Sequence, residues 1–310
     1  MKFGFGVDLG GTTVKIACFN EEGILQEKWE IPTRVENNGE NILPDIAKSL
    51  QTYCLAKSLT QVIGLGIGVP GAVTDGGVVN RCINLGWGKF NIVKELNKLT
   101  GFQVVAGNDA TVAALGECRM GSGKGRKNMV MVTLGTGVGG GIVAGGKLLR
   151  GANGAGGEIG HMTLNRQETE ACNCGKRGCV EQYCSATGIV RMAKNYLADS
   201  QKDSALRGKD FTCKDVFDFA RQGDGVAQAV LEQVYGYLGE FLANVCCVVD
   251  PEIVVLGGGV SRAGEPLLEG VKRHFARYAY HACKHTEFAL ASLGNDAGVY
   301  GAFQMLLQER

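Results

Sequence analysis

His161, Cys172, Cys174 and Cys179 offer one imidazole and three thiols in a single stretch of chain. Zinc takes four N or S ligands tetrahedrally, and Cys3His is a common structural set. Cys172 and Cys174 flank one residue, and Gly175-Lys-Arg-Gly178 then brings back Cys179. The two glycines permit the tight bend that this return requires. Four ligands with no open position describe a structural ion, not a catalytic one. Cys18, Cys54, Cys82, Cys118, Cys213, Cys246, Cys247 and Cys283 read instead as small buried apolar residues, and Cys184 falls outside the ligand pattern.

Carboxylates surround this loop. Glu158 lies in Gly-Gly-Glu-Ile-Gly-His just before it, and Glu181 follows Cys179. Carboxylates accept hydroxyl protons, so the pair suits the lining of a polyol site. The alternative is solvated charge, and attachment to a metal-pinned loop argues against it. Asn108-Asp109 ends a short apolar run and precedes an Ala-rich helix. Asp109 there reads either as a helix N-cap or as a general base at a strand end, where α/β ligand sites lie.

Three glycine turns could hold phosphate: Asp8-Leu9-Gly10-Gly11-Thr12-Thr13, Gly135-Thr136-Gly137 and Gly257-Gly258-Gly259. Small residues let backbone N–H groups approach an anion, and threonine hydroxyls add donors. Any one of them reads equally well as a plain hairpin turn. Three, each closing an apolar strand, point toward a nucleotide. Gly135, Gly137 and Gly140 match G-x-G-x-x-G, but the segment that follows reads as a strand where the dinucleotide fingerprint opens a helix. Gly141 to Lys147 resembles a Walker A loop, yet Leu148 stands where Ser or Thr must meet magnesium.

The elements that must position these groups form a repeated pattern. Residues 3–9, 12–19 and 24–31 read as three antiparallel strands joined by tight turns. Ile42, Ile46, Leu50 and Cys54 mark one face of a helix. Residues 62–69 form a continuous apolar strand, Val104 to Ala106 a shorter one, and a helix spans about 110–117. Residues 129–134 and 138–144 then restart the strand, glycine turn, strand pattern. A long helix covers about 226–249 and an apolar strand 253–256. Two similar α/β domains are expected, over residues 1–120 and 121–294, with a last helix near 295–310 packing back on the first.

Composition narrows the classes. With 310 residues and a formal net charge of +1, bulk electrostatics favour neither nucleic acid nor an anionic membrane. The basic cluster Arg119 to Lys127 is short and reads as a solvated loop. No apolar run is long enough to span a membrane, and the start carries no signal-peptide core. Twelve cysteines without an export signal fit a reducing cytoplasm, where clustered thiols bind metal.

Together these residues resemble the ROK family (repressors, open reading frames and sugar kinases), most closely its bacterial glucokinase members. The matches are Asp8-x-Gly-Gly-Thr12, Val69-Pro70-Gly71, Asn84-Leu-Gly-Trp87, Asn108-Asp109-Ala110, Leu134 through Ile142, Glu158-Ile-Gly-His161 and Cys172-x-Cys174-Gly-x-x-Gly-Cys179-x-Glu181. They span most of the chain in the expected order.

The resemblance implies the actin-like ATPase fold, with two RNase H-like domains and a cleft between them. It implies ATP-dependent phosphorylation of the 6-hydroxyl of glucose, or of N-acetylmannosamine, N-acetylglucosamine or fructose. Asp109 is implied as catalytic base, and Asn108, Glu158, His161 and Glu181 as sugar ligands, with Gly71 and Asn84 nearby. His161 is implied to share itself, one ring nitrogen facing zinc and the other the sugar. Asp8, Gly10, Gly11, Thr12, Thr13 and Lys15, with Gly135, Thr136 and Gly137, are implied at ATP and magnesium, and Gly257, Gly258 and Gly259 at adenosine. A homodimer or homotetramer is implied too. Repressors of the family carry an N-terminal helix-turn-helix, for which a motif starting at residue 8 leaves no room. A non-catalytic sugar sensor needs no base, which the intact Asp109 argues against.

Overall fold

The run Phe3-Gly-Phe-Gly-Val-Asp-Leu9 alternates large apolar residues with glycine, and this alternation decides how the first half is built. In a strand, successive side chains point to opposite faces. Phe5, Val7 and Leu9 therefore share one face, and Gly4, Gly6 and Asp8 the other.

The computed structural model describes residues 1–80 and 82–309. The chain runs β1 (Phe3–Leu9), β2 (Thr13–Asn20), β3 (Leu25–Pro32), the single turn α1 (Glu36–Gly39), α2 (Ile42–Ala56), β4 (Val62–Val69), β5 (Val78–Val79), β6 (Phe90–Asn91), α3 (Ile92–Thr100), β7 (Val104–Asn108) and α4 (Asp109–Met120). It continues with β8 (Met129–Leu134), β9 (Val138–Ala144), β10 (Lys147–Leu148), α5 (Glu181–Cys184), α6 (Ala186–Asp199), α7 (Cys213–Arg221), α8 (Gly225–Val249), β11 (Ile253–Gly257), α9 (Glu265–Tyr278), β12 (Glu287–Leu290) and α10 (Ala297–Gln308).

Two five-stranded sheets form, in the orders β3-β2-β1-β4-β7 and β10-β9-β8-β11-β12. In the first, β1 to β3 are antiparallel neighbours, whereas β4 lies parallel to β1 and β7 parallel to β4. In the second, β11 is parallel to β8 and β12 to β11. The strand order is the same in both, which is the architectural repeat expected from the two glycine-turned hairpins.

The chain divides into one unit of residues 1–127, 141–157 and 292–310, and another of 128–140 and 158–291. Residues 141–157, which the sequence placed with the second half, pack with the first unit.

In the first unit the apolar face of β1 meets Ile42, Ile46 and Leu50 of α2 in one core cluster. Cys54, expected on the same face, is half-buried beside it. The glycine face is covered by α10. A Cβ on Gly6 would lie 2.1 Å from the Val299 carbonyl oxygen, and one on Gly66 1.8 Å from that of Ala302. Only glycine lets the helix backbone lie this close to the strands. Phe303 and Leu306 then pack with Ala17 and Phe19 on this side.

In the second unit α8 buries residues along its whole length and packs against α9. Asp224 caps α8, accepting from the N–H groups of Val226 and Ala227. Among the described residues no helix is long and apolar enough to cross a membrane. Three thiols depart from the reading of buried apolar residues: Cys247 is exposed, and Cys54 and Cys213 are only half-buried.

Candidate active site and metal centre

In the first unit Asp8 ends β1 on its glycine face, and α10 descends on it. A Cβ on Gly298 would lie 2.5 Å from the Asp8 carboxyl carbon. Burial raises the Asp8 pKa, and Lys15, 3.9 Å away, opposes the shift. Lys15 also donates to the Asn295 carbonyl at 3.1 Å. The adjoining turn is tied down by Thr33, just past β3. Its hydroxyl donates to the Gly10 carbonyl at 2.8 Å and its N–H to that of Thr12 at 2.9 Å. Gly10 N–H closes the turn on the Thr13 carbonyl at 3.0 Å.

Asn108, not Asp109, is the N-cap of α4: its side chain accepts from Thr111 N–H at 3.1 Å. The capping reading of Asp109 is thereby replaced. Asp109 stands in the first helical turn, one carboxylate oxygen accepting from Ala110 N–H at 2.8 Å. The Asn108 amide reaches back to the Gly71 carbonyl at 3.1 Å, so these two come together. Gly71 has φ 98°, a backbone region that favours glycine. Asn84 lies exposed on a short 3-10 turn, Ile83–Leu85.

The second unit gathers the metal-ligand candidates. Ligand atoms of His161, Cys172, Cys174 and Cys179 all lie within 4.8 Å of one another. Cys174 and Cys179 sulfurs are 3.6 Å apart, and Cys172 Sγ is 3.8 Å from His161 Nδ1. Tetrahedral zinc with Zn–S bonds near 2.3 Å spaces its sulfurs about 3.7–3.8 Å apart, so the donor set fits that ion. Burial pushes the Cys172 and Cys179 thiols upward, whereas the Cys174 thiol is lowered beside its neighbours. Gly175 and Gly178, at φ 87° and 76°, make the bend that returns Cys179.

His161 faces two ways: Nδ1 toward Cys172, and Nε2 3.9 Å from the Glu158 carboxylate. Glu181 does likewise. One oxygen lies 3.5 Å from Cys172 Sγ, and the other accepts from Val138 N–H at 3.0 Å. The metal loop is therefore joined to the Gly135–Gly137 turn. Ala186 N–H donates to the Gly135 carbonyl at 2.8 Å, and Thr187 Oγ1 to that of Thr136 at 2.9 Å.

Beside Gly259 opens a cavity of about 440 Å³, lined among others by Ala186, Cys213, Phe217, Arg221 and Val260. Sequence reasoning located Gly259 but missed the α7 wall. Cys213, Phe217 and Arg221 recur at four-residue spacing, the one signal that could have marked them, and it does not separate a ligand wall from ordinary core. Burial holds the Cys213 thiol up near 11.

The ROK family model matches residues 4–309. The chain belongs to the ROK family. A glucokinase of Halalkalibacterium halodurans is 43% identical over 98% of this ROK chain and 94% of its own length. The crystal structure of a ROK hexokinase from Thermus thermophilus superposes with a TM-score of 0.85 at 31% identity, covering 99% of this chain and 98% of that one. A ROK family glucokinase from Streptomyces griseus, in complex with glucose and AMPPNP, gives 0.78 at 32% identity, with 99% of both chains covered. The ROK chain has the actin-like ATPase fold that the family resemblance implied.

Proposed function

We propose that this ROK chain is an ATP-dependent hexose kinase acting on the 6-hydroxyl of glucose. The observation that carries the reading is that a glycine turn in each unit, Gly10–Thr13 and Gly135–Gly137, is held from one side by a neighbouring segment. In each, two carbonyls are bonded away on one side. The full-length likeness to a glucokinase at 43% identity supports the choice of sugar.

Asp109 accepts the proton of the sugar hydroxyl. A hydroxyl is too weak an acid to ionise first, so the carboxylate orients it and takes the proton late. Asn108, Glu158, His161 and Glu181 bind sugar hydroxyls, with Gly71 and Asn84 close by. The two glycine turns and Lys15 hold the ATP phosphates, and Asp8 serves magnesium, which neutralises phosphate charge when bound. Phosphoryl transfer runs through a loose transition state, so positioning and charge stabilisation carry most of the catalysis. The 440 Å³ cavity beside Gly259 suits adenosine. Phe217 and Arg221 of α7 line it, with Arg221 paired to Asp218.

His161, Cys172, Cys174 and Cys179 hold a structural zinc, which keeps the loop between Glu158 and Glu181 in shape. The fitting donor spacings support this assignment. A cytoplasmic homodimer or homotetramer is the working form.

A coupled ADP-release assay against glucose, mannose, fructose, N-acetylglucosamine and N-acetylmannosamine tests the reading. Glucose is expected to give the highest kcat/KM. A clear preference for an N-acetylated sugar would replace glucose, and no ADP release with any sugar would remove the kinase assignment.

A further inference from the structure

Two threonines outside the glycine turns determine which way those turns face. In a trans peptide unit the carbonyl of one residue and the N–H of the next point in opposite directions. Bonding a carbonyl therefore also aims the following N–H. Thr33 bonds the Gly10 carbonyl through its hydroxyl, at 2.8 Å, and the Thr12 carbonyl through its N–H, at 2.9 Å. The Gly11 and Thr13 N–H groups are thereby turned away from Thr33. In the other unit, Ala186 N–H bonds the Gly135 carbonyl and the Thr187 hydroxyl bonds the Thr136 carbonyl. The Thr136 and Gly137 N–H groups are thereby turned away from α6.

Neighbouring N–H groups aimed to one side form the concavity that binds an anion without a charged side chain. The Thr187 hydroxyl is itself fixed. Its proton goes to Thr136, so it must accept from the fully buried Ser185 hydroxyl at 3.0 Å. Ser185 in turn caps α6, accepting from Gly188 N–H. Thr33 is nine-tenths buried, while Thr187 is exposed.

We propose that Thr33 and Thr187 are positioning residues for the nucleotide phosphates: Thr33 aims the Gly11 and Thr13 N–H groups by bonding the Gly10 and Thr12 carbonyls, and Thr187 aims the Gly137 N–H by bonding the Thr136 carbonyl. The proposal rests on the reading that these turns hold ATP phosphate. It assigns both residues a role in nucleotide affinity and none in sugar affinity.

The test uses Thr187→Val, Thr187→Ser, Thr33→Val and Thr33→Ser in the full chain, with KM measured for ATP and for glucose. Losing one such hydrogen bond is expected to raise the ATP KM about 3- to 10-fold in each Val variant. Glucose KM should stay within about twofold, and each Ser variant should return toward wild type because its hydroxyl survives. Thr187→Val keeps the proposal falsifiable if the buried Thr33→Val fails to fold. Unchanged ATP KM in Thr187→Val, or equal rises for ATP and glucose, overturns it while the phosphate reading stands. Wild-type protein that binds no AMPPNP by titration calorimetry removes the phosphate reading and the proposal with it.

Discussion

The Glu181 carboxylate accepts a hydrogen bond from Val138 N–H at 3.0 Å while its other oxygen lies 3.5 Å from Cys172 Sγ. One side chain thus links the metal loop to the end of the Gly135–Gly137 turn. The fit leaves no room beside it. A Cβ on Gly137 would lie 2.3 Å from the bonded carboxylate oxygen.

Gly137→Ala should therefore push Glu181 off Val138. Both the turn and the carboxylate proposed to bind the sugar move, so KM should rise about tenfold or more for ATP and for glucose together, given a displaced charge-assisted bond. Initial-rate kinetics with each substrate varied check this. A variant with wild-type KM for both would show that the link has no functional weight.

Asp109→Asn should keep the fold, because Asn108 and not Asp109 caps α4. Turnover should fall at least about a hundredfold, the low end for loss of a general base. Glucose binding measured by calorimetry should persist. Near-normal kcat would remove Asp109 from the catalytic role.

Metal analysis of freshly prepared protein should find one zinc per chain. Cys174→Ser should lose the ion, melt at lower temperature and bind glucose more weakly, since His161 and Glu158 sit on the same loop. Full stability and sugar affinity in a zinc-free preparation would make the cluster incidental.

The loop also carries a charge network with its own pH signature. Arg191 donates to Glu168 at 2.7 Å and Tyr183 at 2.6 Å. The Arg191 guanidinium first, and the Tyr183 hydroxyl with it, hold Glu168 at about 2, well below its ordinary 4.5. A folded-state pKa below the unfolded one contributes stability above the unfolded value. That contribution is lost as pH falls from about 4.5 toward 2. Glu168→Gln should cost about 1.5–3 kcal/mol at neutral pH, the scale for bonds to a charged group. The gap between the two proteins should shrink as pH drops through that window. Melting curves at stepped pH test this, and a constant gap would contradict the shift.

Much of this molecule was legible before any coordinates. Metal-ligand spacing lies within one stretch of chain, and local bends at Gly175 and Gly178 suffice to close it, so His161, Cys172, Cys174 and Cys179 could be named from the residues. The paired sheets were legible because strand periodicity and glycine turns are local signals. The alternation in β1 even encodes which face α10 covers.

Other features depend on contacts between segments far apart in the chain. That Asn108 takes the cap and Asp109 does not turns on which side chain reaches Thr111 N–H, a matter of backbone angles. The α7 wall of the cavity beside Gly259 has no motif, because an amphipathic helix face is written the same way whether it meets core or ligand. Residues 141–157 pack with the first unit although they follow the restart of the strand pattern, since connectivity does not dictate packing partners. Sequence alone determined which groups could do chemistry and the sheets that carry them. Tertiary structure decided which way those groups face, because a carbonyl bonded by Thr33 or Thr187 is a contact that no local pattern records.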